Sequence, residues 1–307
     1  MRIGAFLAAA SLVSLLCLPA RAADKQCRVV HAAVLDMGTD ESGGVVVPMN
    51  IGGKTVHLLV DTGGVVSMLT KGTVKSLDLP VQTSTGGYLR MFGGLRVDHM
   101  TIARDIDLGG LKTNTMPFAI IPDGWMPNGI DGTLAPDILS AYDAEFDFAN
   151  NKFYLASQDH CPGQVVYWTQ SGYVAIPIFI GEGGHISFAV GLDGKTIIAS
   201  LDTGSTRSYM SMEAAHHEFG IDEKTPDLKA LPGASDKSHR YHYPFKKLSL
   251  VGIAVNNPDL VLVPDSETKV MGPGGPRIIL GMGILRQLHL YIAYSEATIY
   301  ATGATAH

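Results

Sequence analysis

The sequence contains little charge, few aromatic residues and very little cysteine. Charged side chains make up 17% of the 307 residues and aromatic side chains 7%, and the net charge is −6 with the basic residues scattered along the chain. A nucleic-acid footprint or a basic membrane-binding face needs clustered lysine and arginine, so we expect neither kind of partner. Composition leaves other partners open.

Long apolar runs are also missing, except at the N-terminus. Arg2 precedes an apolar stretch over residues 5–18, and residues 20–22 read ARA, a small-x-small cleavage pattern. The stretch is shorter than the ~20 residues that span a bilayer, which disfavours a membrane anchor. We therefore expect residues 1–23 to be a signal peptide and the mature protein to be exported, either to the periplasm or as a secreted protein, without a stable membrane anchor.

Two cysteines remain after the signal peptide, Cys27 and Cys161. Because an exported protein passes through an oxidising compartment, we expect them to form a disulfide; the alternative is two buried free thiols. Neither cysteine lies in a recognisable nucleophile context.

One short pattern occurs twice. Residues 58–64 read LLVDTGG and residues 199–205 read ASLDTGS, which places Asp61 and Asp202 141 positions apart. An apolar run followed by an ionisable residue, a hydroxyl residue and glycine predicts a strand that ends in a tight turn, with a carboxylate that projects from a well-packed base. A single turn of this kind is common and is weak evidence, so the prediction depends on the second copy.

The surroundings of the two turns also match. Ser67 and Ser208 both lie six residues after the aspartate, and Thr70 and Ser211 are at N-cap positions for short predicted helices. Each half ends with an apolar-apolar-small turn and a short helix, residues 133–139 (TLAPDIL) and 279–285 (ILGMGIL). The predicted division is an N-terminal lobe over 24–157, a linker over 158–172 and a C-terminal lobe over 173–307.

Two further segments are less regular. Residues 45–51 (VVVPMNI) match residues 174–180 (VAIPIFI), which implies that about a dozen residues, 181–192, are inserted in the second half as a longer hairpin. Residues 84–94 (STGGYLRMFGG) have paired glycines at both ends and predict either a mobile lid carrying Tyr88 and Phe92 or an ordinary exposed turn. The corresponding region, 233–243, is polar and contains histidine.

These features resemble the pepsin and retropepsin superfamily of aspartic proteases, in which a strand leads into Asp-Thr/Ser-Gly, a hairpin flap covers a cleft and an apolar segment lies behind the catalytic loop. The resemblance covers nearly the whole mature length and is nearest to exported bacterial retropepsin-like proteases with two fused lobes. It implies an all-β fold with a few short helices: a pepsin-like bilobal acid-protease fold with two β-barrel-like lobes related by a pseudo-twofold axis.

By this resemblance Asp61 and Asp202 are the catalytic pair. Two carboxylates about 3 Å apart share one proton, as is known for aspartic proteases, so that a water is deprotonated on one side while the peptide carbonyl is protonated on the other. The resemblance also implies supporting residues, namely Thr62, Gly63, Thr203, Gly204 and Ser205. The threonines would bond across the axis, the glycines leave room near the carboxylates, Ser205 bond to Asp202, and Tyr88 or Phe92 close over substrate.

The first half departs from the family pattern. Gly64 occupies a position where serine, threonine or alanine is usual, and Ala135 replaces the glycine that its counterpart Gly281 keeps. All are small, so the turn can form, but we expect a looser first site.

The sequence therefore predicts a monomeric aspartic endopeptidase acting on peptides or proteins, without cofactor or metal. A non-catalytic peptide-binding protein with the same cleft is the main alternative, and carbohydrate or metal binding by Asp-rich turns is a third.

Asp143, Glu145 and Asp147 alternate along a predicted strand without the spacing of a calcium loop, which favours a solvated face. No recognised zinc spacing joins the clustered histidines, His216, His217, His239 and His242.

Overall fold

A computed structural model describes residues 27–84, 87–90, 96–231, 239–264 and 275–304. The protein is mostly β, with 47% strand and 10% helix, which confirms the predicted fold class. Strands are numbered β1–β26 and helices α1–α4 in chain order. The predicted signal peptide and Phe92 lie outside the described residues. Within the described ranges, no helix is long and apolar enough to span a membrane.

The first half builds an eight-stranded sheet in the order β2-β3-β4-β11-β5-β10-β9-β6. An additional pairing of β3 with β9 closes six of these strands into a barrel. The strands are β2 (Gly38–Thr39), β3 (Val45–Ile51), β4 (Lys54–Val60), β5 (Met68–Thr70), β6 (Gln82–Thr83), β9 (His99–Leu108), β10 (Leu111–Ile121) and β11 (Gly132–Leu134). A separate hairpin pairs β7 (Leu89–Arg90) with β8 (Arg96–Val97).

The second half builds a ten-stranded sheet that forms a half-barrel. Its strands are β15 (Phe179–Ile180), β16 (Ile186–Leu192), β17 (Lys195–Leu201), β18 (Ser208–Ser211), β19 (Lys229–Ala230), β20 (Tyr241–His242), β21 (Lys247–Leu250), β22 (Ile253–Asn256), β23 (Leu260–Val263) and β24 (Ile278–Leu280). Where the first half has one continuous strand, β10, the second has β22 and β23, separated at Asn257, which has a φ of 49°, and Pro258. The φ of Asn257 lies outside the β region, so the strand is interrupted there, whereas β10 continues through Pro117, which lies opposite Ile102.

A third sheet joins the two halves. Its order is β1-β13-β12-β25-β26-β14, and β12 of the first half pairs with β25 of the second, with Phe146 opposite Leu290. The strands are β1 (His31–Asp36), β12 (Asp143–Asp147), β13 (Lys152–Ala156), β14 (Val174–Pro177), β25 (Leu288–Ala293) and β26 (Thr298–Gly303). We refer to it as the shared sheet.

Four short α-helices, α1 (Lys71–Ser76), α2 (Pro136–Leu139), α3 (Met212–Phe219) and α4 (Met282–Leu285), and one 3₁₀ turn at Glu182–Gly184 complete the described structure. The predicted N-caps are confirmed, since the Thr70 side chain accepts from the Thr73 N–H at 3.2 Å and the Ser211 side chain from the Ala214 N–H at 3.0 Å. Each side chain satisfies a backbone donor that has no partner within its own helix.

The predicted insertion at residues 181–192 is wrong. In the shared sheet Leu35 lies opposite Phe153 and Ile176 lies opposite Ile299, so β14 is the counterpart of β1 and not of β3. The counterpart of β3 is β16, and the spacing of 141 residues holds through both strands to the two aspartates. Two short apolar runs that contain proline look alike in sequence, but hydrogen-bonded pairing decides which strands are equivalent.

The prediction of a solvated face at Asp143, Glu145 and Asp147 is also wrong, because their exposed fractions are 0%, 1% and 7%. These residues belong to β12, which lies inside the shared sheet, between β13 and β25. Two histidines bring the compensating contacts. Nε2 of His160 lies 2.5 Å from Oδ2 of Asp143, and Nε2 of His289 donates to Oε1 of Glu145 at 2.8 Å.

The linker contributes to this buried network. The Tyr167 hydroxyl donates to Glu145 at 2.7 Å, and the ring of Trp168 stacks on His289 with 4.3 Å between ring centroids. A disulfide between Cys27 and Cys161, with their Cα atoms 4.9 Å apart, ties the N-terminal segment to the same linker. The linker therefore contacts β12 and β25 of the shared sheet and is covalently bound to the N-terminal segment that precedes β1.

Burial alone raises the pKa of Glu145, but hydrogen bonds from His289, His31 and Tyr167 outweigh burial and leave the pKa below its ordinary value. A carboxyl whose pKa falls on folding stabilises the folded state above its unfolded pKa of ~4.3 and loses this contribution as the pH falls through the folded pKa. Glu145 is thus a stabilising charge near neutral pH.

We expect Glu145→Gln to lower the free energy of unfolding by about 1 to 3 kcal/mol at pH 7, because an amide cannot replace charge-assisted hydrogen bonds at a buried site. The difference from wild type should shrink as the pH falls below the unfolded pKa of ~4.3 and through the lower pKa of the folded state, because the carboxyl itself becomes protonated. Urea denaturation between pH 3 and pH 8 measures both quantities.

The matched control is Asp36→Asn on the neighbouring strand β1, where Asp36 is exposed and paired with Lys152 at 2.6 Å. Solvent screening makes such a pair nearly neutral for stability, so we expect little change. An equal loss for Glu145→Gln at pH 7 and pH 3 would mean that packing, and not the charge, accounts for its effect.

Candidate active site

Each Asp-Thr-Gly loop follows a strand that is braced from one side. The Asp61 N–H donates to the Leu134 carbonyl at 2.9 Å, and the Asp202 N–H donates to the Leu280 carbonyl at 3.0 Å. These bonds extend the parallel pairings of β4 with β11 and of β17 with β24. The two apolar-apolar-small segments predicted from the sequence therefore lie beside the two loops.

Thr62 and Thr203 bond reciprocally across the two halves. Each backbone N–H donates to the hydroxyl of the other threonine, at 3.1 and 3.0 Å. The Thr62 hydroxyl donates to the Leu201 carbonyl at 3.2 Å and the Thr203 hydroxyl to the Val60 carbonyl at 2.7 Å. Both threonines are fully buried, so these four bonds fix the two loops against each other.

The glycines of the two loops face the opposite aspartates. A Cβ atom on Gly63 would lie within 2.6 Å of all three carboxyl atoms of Asp202, and one on Gly204 within 2.6 Å of Cγ and Oδ1 of Asp61. No side chain fits at either position. The glycines therefore allow the two carboxyl groups to approach across the interface between the loops.

Backbone donors surround the two carboxyl groups. The Gly63 N–H donates to Oδ1 of Asp61 at 3.1 Å, and the Ser205 N–H donates to Oδ1 of Asp202 at 3.0 Å. The Ser205 hydroxyl instead donates to the Arg207 carbonyl at 2.8 Å. The expected bond from Ser205 to Asp202 is thus made by its main chain, because its side chain turns towards Arg207.

Burial raises the pKa of both aspartates. For Asp202, the neighbouring Asp61 adds to the effect of burial and the pKa rises to about 7, although the N–H groups of Ser205 and Gly204 oppose the rise. For Asp61, the N–H groups of Gly64 and Gly63 and the nearby His185 oppose the effect of burial without cancelling it. Two carboxyl groups this close cannot comfortably ionise together, so the pair retains a proton to near neutral pH.

The two departures of the first half are coupled in space. A Cβ atom on Gly64 would lie 2.9 Å from Oδ2 of Asp61 and 3.3 Å from the Ala135 Cβ, whereas a Cβ on Gly281 would overlap the Ser205 and Arg207 carbonyl oxygens. The first half thus has its extra methyl group at 135 and no side chain at 64; the second half has the reverse.

Sequence reasoning missed two kinds of supporting residue. Ser67 and Ser208 accept, through their hydroxyl oxygens, from the N–H groups of Ala135 and Gly281, both at 3.0 Å, so they bind each braced segment to its loop. His185 donates from Nε2 to the Gly63 carbonyl at 2.9 Å. The repeat contained the signal for the serines, but His185 was assigned to a supposed insertion.

The predicted lid is described only in part. Tyr88 is 46% exposed, and the guanidinium carbon of Arg96 lies 3.9 Å from the centre of its ring. Tyr88 directly precedes β7 and Arg96 is the first residue of β8, and Phe92 lies outside the described residues. Among the residues that the structure describes, no group of three or more histidine, cysteine, aspartate and glutamate side chains is arranged to hold a metal ion.

The raised pKa of Asp202 has a consequence for stability. Its carboxyl ionises near pH 3.9 when unfolded but only near pH 7 when folded, so the pair opposes folding above pH 3.9, by up to about 4 kcal/mol at pH 8. We therefore expect Asp202→Asn to be more stable than wild type at pH 8, with the difference approaching zero near pH 4. Thermal and urea unfolding across this range measure it.

The control for this experiment is Asp259→Asn, which changes an exposed aspartate paired with Arg207 at 3.1 Å. It should show no comparable dependence on pH. A stability difference for Asp202→Asn that is the same at pH 4 and pH 8 would contradict a buried, proton-sharing pair.

Comparisons with known proteins support a common architecture. The structure of conglutin gamma, a unique basic 7S globulin from lupine seeds, is similar with a TM-score of 0.52 and 13% identity, over 89% of this chain and 95% of that one. Basic 7S globulin from soybean is similar with a TM-score of 0.53 and 8% identity, over the same shares. At these identities the likeness shows the fold alone. No curated protein has a sequence significantly similar to this chain.

A family model described as aspartyl protease matches residues 47–135 and 188–284. The two matched segments contain the two Asp-Thr-Gly loops and the two braced segments beside them, and together they make up more than half of the chain. The family match and the paired loops agree, and the chain belongs to the aspartyl protease family.

Proposed function

We propose that this protein is an aspartic endopeptidase that hydrolyses peptide bonds with a water held between Asp61 and Asp202. The observation that carries the proposal is the approach of the two carboxyl groups through the paired loops, where each glycine leaves space for the opposite aspartate. A buried pair of this kind destabilises the folded state. Carboxyl groups with such raised pKa values cluster at active sites, where they serve general acid–base catalysis.

The proposed reaction requires one ionised and one protonated carboxyl group. The carboxylate takes a proton from water as the water oxygen bonds to the peptide carbonyl carbon, and the protonated carboxyl gives its proton to the carbonyl oxygen. The resulting gem-diol collapses as its C–N bond breaks. The amine nitrogen receives the proton taken from water and a diol hydroxyl returns its proton to the pair, so that water and amide become carboxylic acid and amine.

This chemistry sets the expected pH range. Above about pH 7 the shared proton is lost from the pair, because that is where the pKa of Asp202 lies, and activity should fall. At low pH the second carboxyl is protonated as well, and the general base is lost. We therefore expect activity from acidic to near-neutral pH with a falling limb near pH 7.

A non-catalytic peptide-binding protein is the second candidate function. The observation in its favour is the first loop, where Gly64 and Ala135 depart from the residues at the equivalent positions of the second half, Ser205 and Gly281. Retention of both aspartates at close approach argues against it, since a binding surface gains nothing from two carboxyl groups that repel each other.

We further propose that the protein is exported after removal of residues 1–23 and acts as a monomer on peptide or protein substrates. The disulfide between Cys27 and Cys161 supports export, because disulfides persist in oxidising compartments. Both halves of the site are present in one chain, which supports a monomer. Cell fractionation with N-terminal sequencing tests export, and sedimentation of the active fraction tests the oligomeric state.

The central test is mass-spectrometric mapping of cleavage on a diverse peptide mixture from about pH 3 to pH 8. We expect the mature wild-type protein to produce internal cuts, and we expect Asp61→Asn and Asp202→Asn each to lower the cleavage rate by at least roughly 100-fold, since each removes one partner of the acid–base pair.

Asp259→Asn serves as the chemically matched control and should cleave like wild type. If the folded wild-type protein makes no cuts at any pH but binds peptides in fluorescence anisotropy, the peptide-binding function replaces the endopeptidase. Cuts that persist at full rate in either active-site variant would come from another site or a contaminant.

A further inference from the structure

The pseudo-twofold repeat places two equivalent turns beside the candidate active site. Residues 40–44 connect β2 to β3, and residues 181–185 connect β15 to β16, again 141 positions apart. Both turns have the same backbone bonds. The first residue donates to the carbonyl of the fifth, at 3.2 Å in the first turn and 2.8 Å in the second, and the fourth donates to the first, at 3.0 and 3.2 Å.

Each turn contacts the opposite half of the molecule. In the first turn the Gly43 carbonyl accepts from the Arg286 guanidinium, which follows α4. In the second turn a Cβ on Gly183 would lie 3.1 Å from the Val65 side chain, and one on Gly184 would overlap Pro136 at the start of α2. The second turn is therefore packed against the loop that contains Asp61.

The last residue of the turn breaks the symmetry. His185 donates from Nε2 to the carbonyl of Gly63, two residues from Asp61, at 2.9 Å. Its counterpart in the first turn is Gly44, which has no side chain and whose N–H donates to Asp40 Oδ1 at 2.6 Å. A Cβ on Gly44 would overlap the Leu59 side chain. Between these two turns, therefore, it is the second that brings an imidazole from the opposite half, and it brings it to the Asp61 loop.

The acceptor determines the chemical state of the imidazole. A carbonyl oxygen only accepts, so Nε2 of His185 carries a proton, and binding of a second proton at Nδ1 makes the ring a cation. The ionisable groups on the segments that pack against this turn are acidic: Asp61 in the loop, Asp137 in α2 and Glu182 in the turn itself. The Gly63 carbonyl and the Gly64 N–H belong to the same peptide group. A hydrogen bond to this carbonyl therefore makes the Gly64 N–H, which faces Asp61, a stronger hydrogen-bond donor.

We propose that His185 is a positioning residue that makes the aspartate pair unequal, so that Asp61 is the carboxylate that takes the proton from water and Asp202 carries the shared proton. This assignment rests on the proposed endopeptidase function and adds to it a role for each carboxyl group. The hydrogen bond holds the ring beside the Asp61 loop, and the charge of the ring favours the ionised form of Asp61 over that of Asp202. Burial raises the pKa of Asp61 and His185 acts against this rise, which agrees with an ionised Asp61.

The first test does not require activity. In NMR titrations of the carboxyl groups of Asp61 and Asp202 in the full mature protein, we expect His185→Gln to raise the pKa of Asp61 and to change the pKa of Asp202 less. His185 opposes the raised pKa of Asp61, whereas the charge that acts on Asp202 is that of Asp61. Equal responses of the two carboxyl groups would overturn the assignment of unequal roles.

The second test compares pH profiles of kcat/KM for cleavage. In His185→Gln and His185→Gly, the latter reproducing Gly44 of the first turn, we expect the acidic limb to move to higher pH by about 0.5 to 1 unit, because Asp61 is protonated more easily without the cation. His185→Arg should restore the limb. His185→Gln can keep a donor to the Gly63 carbonyl without charge, so it separates the two effects.

His217→Gln, at an exposed position in α3, is the control for the loss of a histidine and should leave the profile unchanged. An acidic limb that stays in place in both His185 variants would overturn the proposal while leaving the endopeptidase intact. Absence of cleavage in the wild type, with the NMR response as expected, would refute the endopeptidase and uphold the electrostatic asymmetry.

Discussion

Four buried hydrogen bonds between Thr62 and Thr203 hold the rest of the site in place. Each hydroxyl accepts from the opposite N–H and donates to the carbonyl at the end of the opposite strand. Since both threonines are fully buried, loss of any one bond would leave a polar group without water as a replacement partner. The separation of Asp61 and Asp202 is therefore determined by bonds between the threonine hydroxyls and backbone atoms of the opposite half, and the two glycines keep the intervening space free of side chains.

The shared sheet is a second connection between the two halves, through the pairing of β12 with β25. Strand β12 presents three buried carboxylates, and partners for them come from β25 and from the linker. Such groups stabilise a structure only while all of them are paired, because an unpaired buried charge is strongly unfavourable. The two halves are thus joined by a neutral contact at the threonines and by a charged one in the shared sheet.

Backbone repetition and side-chain chemistry diverge within this framework. The spacing of 141 residues holds from β1 and β14 through to the two aspartates, yet Gly64, Ala135 and His185 all differ from their counterparts. Strand pairing constrains the backbone because register shifts move every side chain to the wrong face. Turn residues are not constrained in this way, so the two aspartates, which share the same Asp-Thr-Gly motif, occupy unequal surroundings.

The sequence by itself determined the features that depend on neighbouring residues. The two Asp-Thr-Gly turns, the N-caps at Thr70 and Ser211 and the mainly β fold follow from alternation and turn chemistry over a few positions. It could not show that Asp143, Glu145 and Asp147 are buried, since alternation tells which residues share a face but not whether that face is covered. Their histidine partners lie up to 144 residues away. Only the tertiary structure, through long-range pairing of strands and turns, decided the burial of β12, the equivalence of β3 with β16 and the place of His185 beside Asp61.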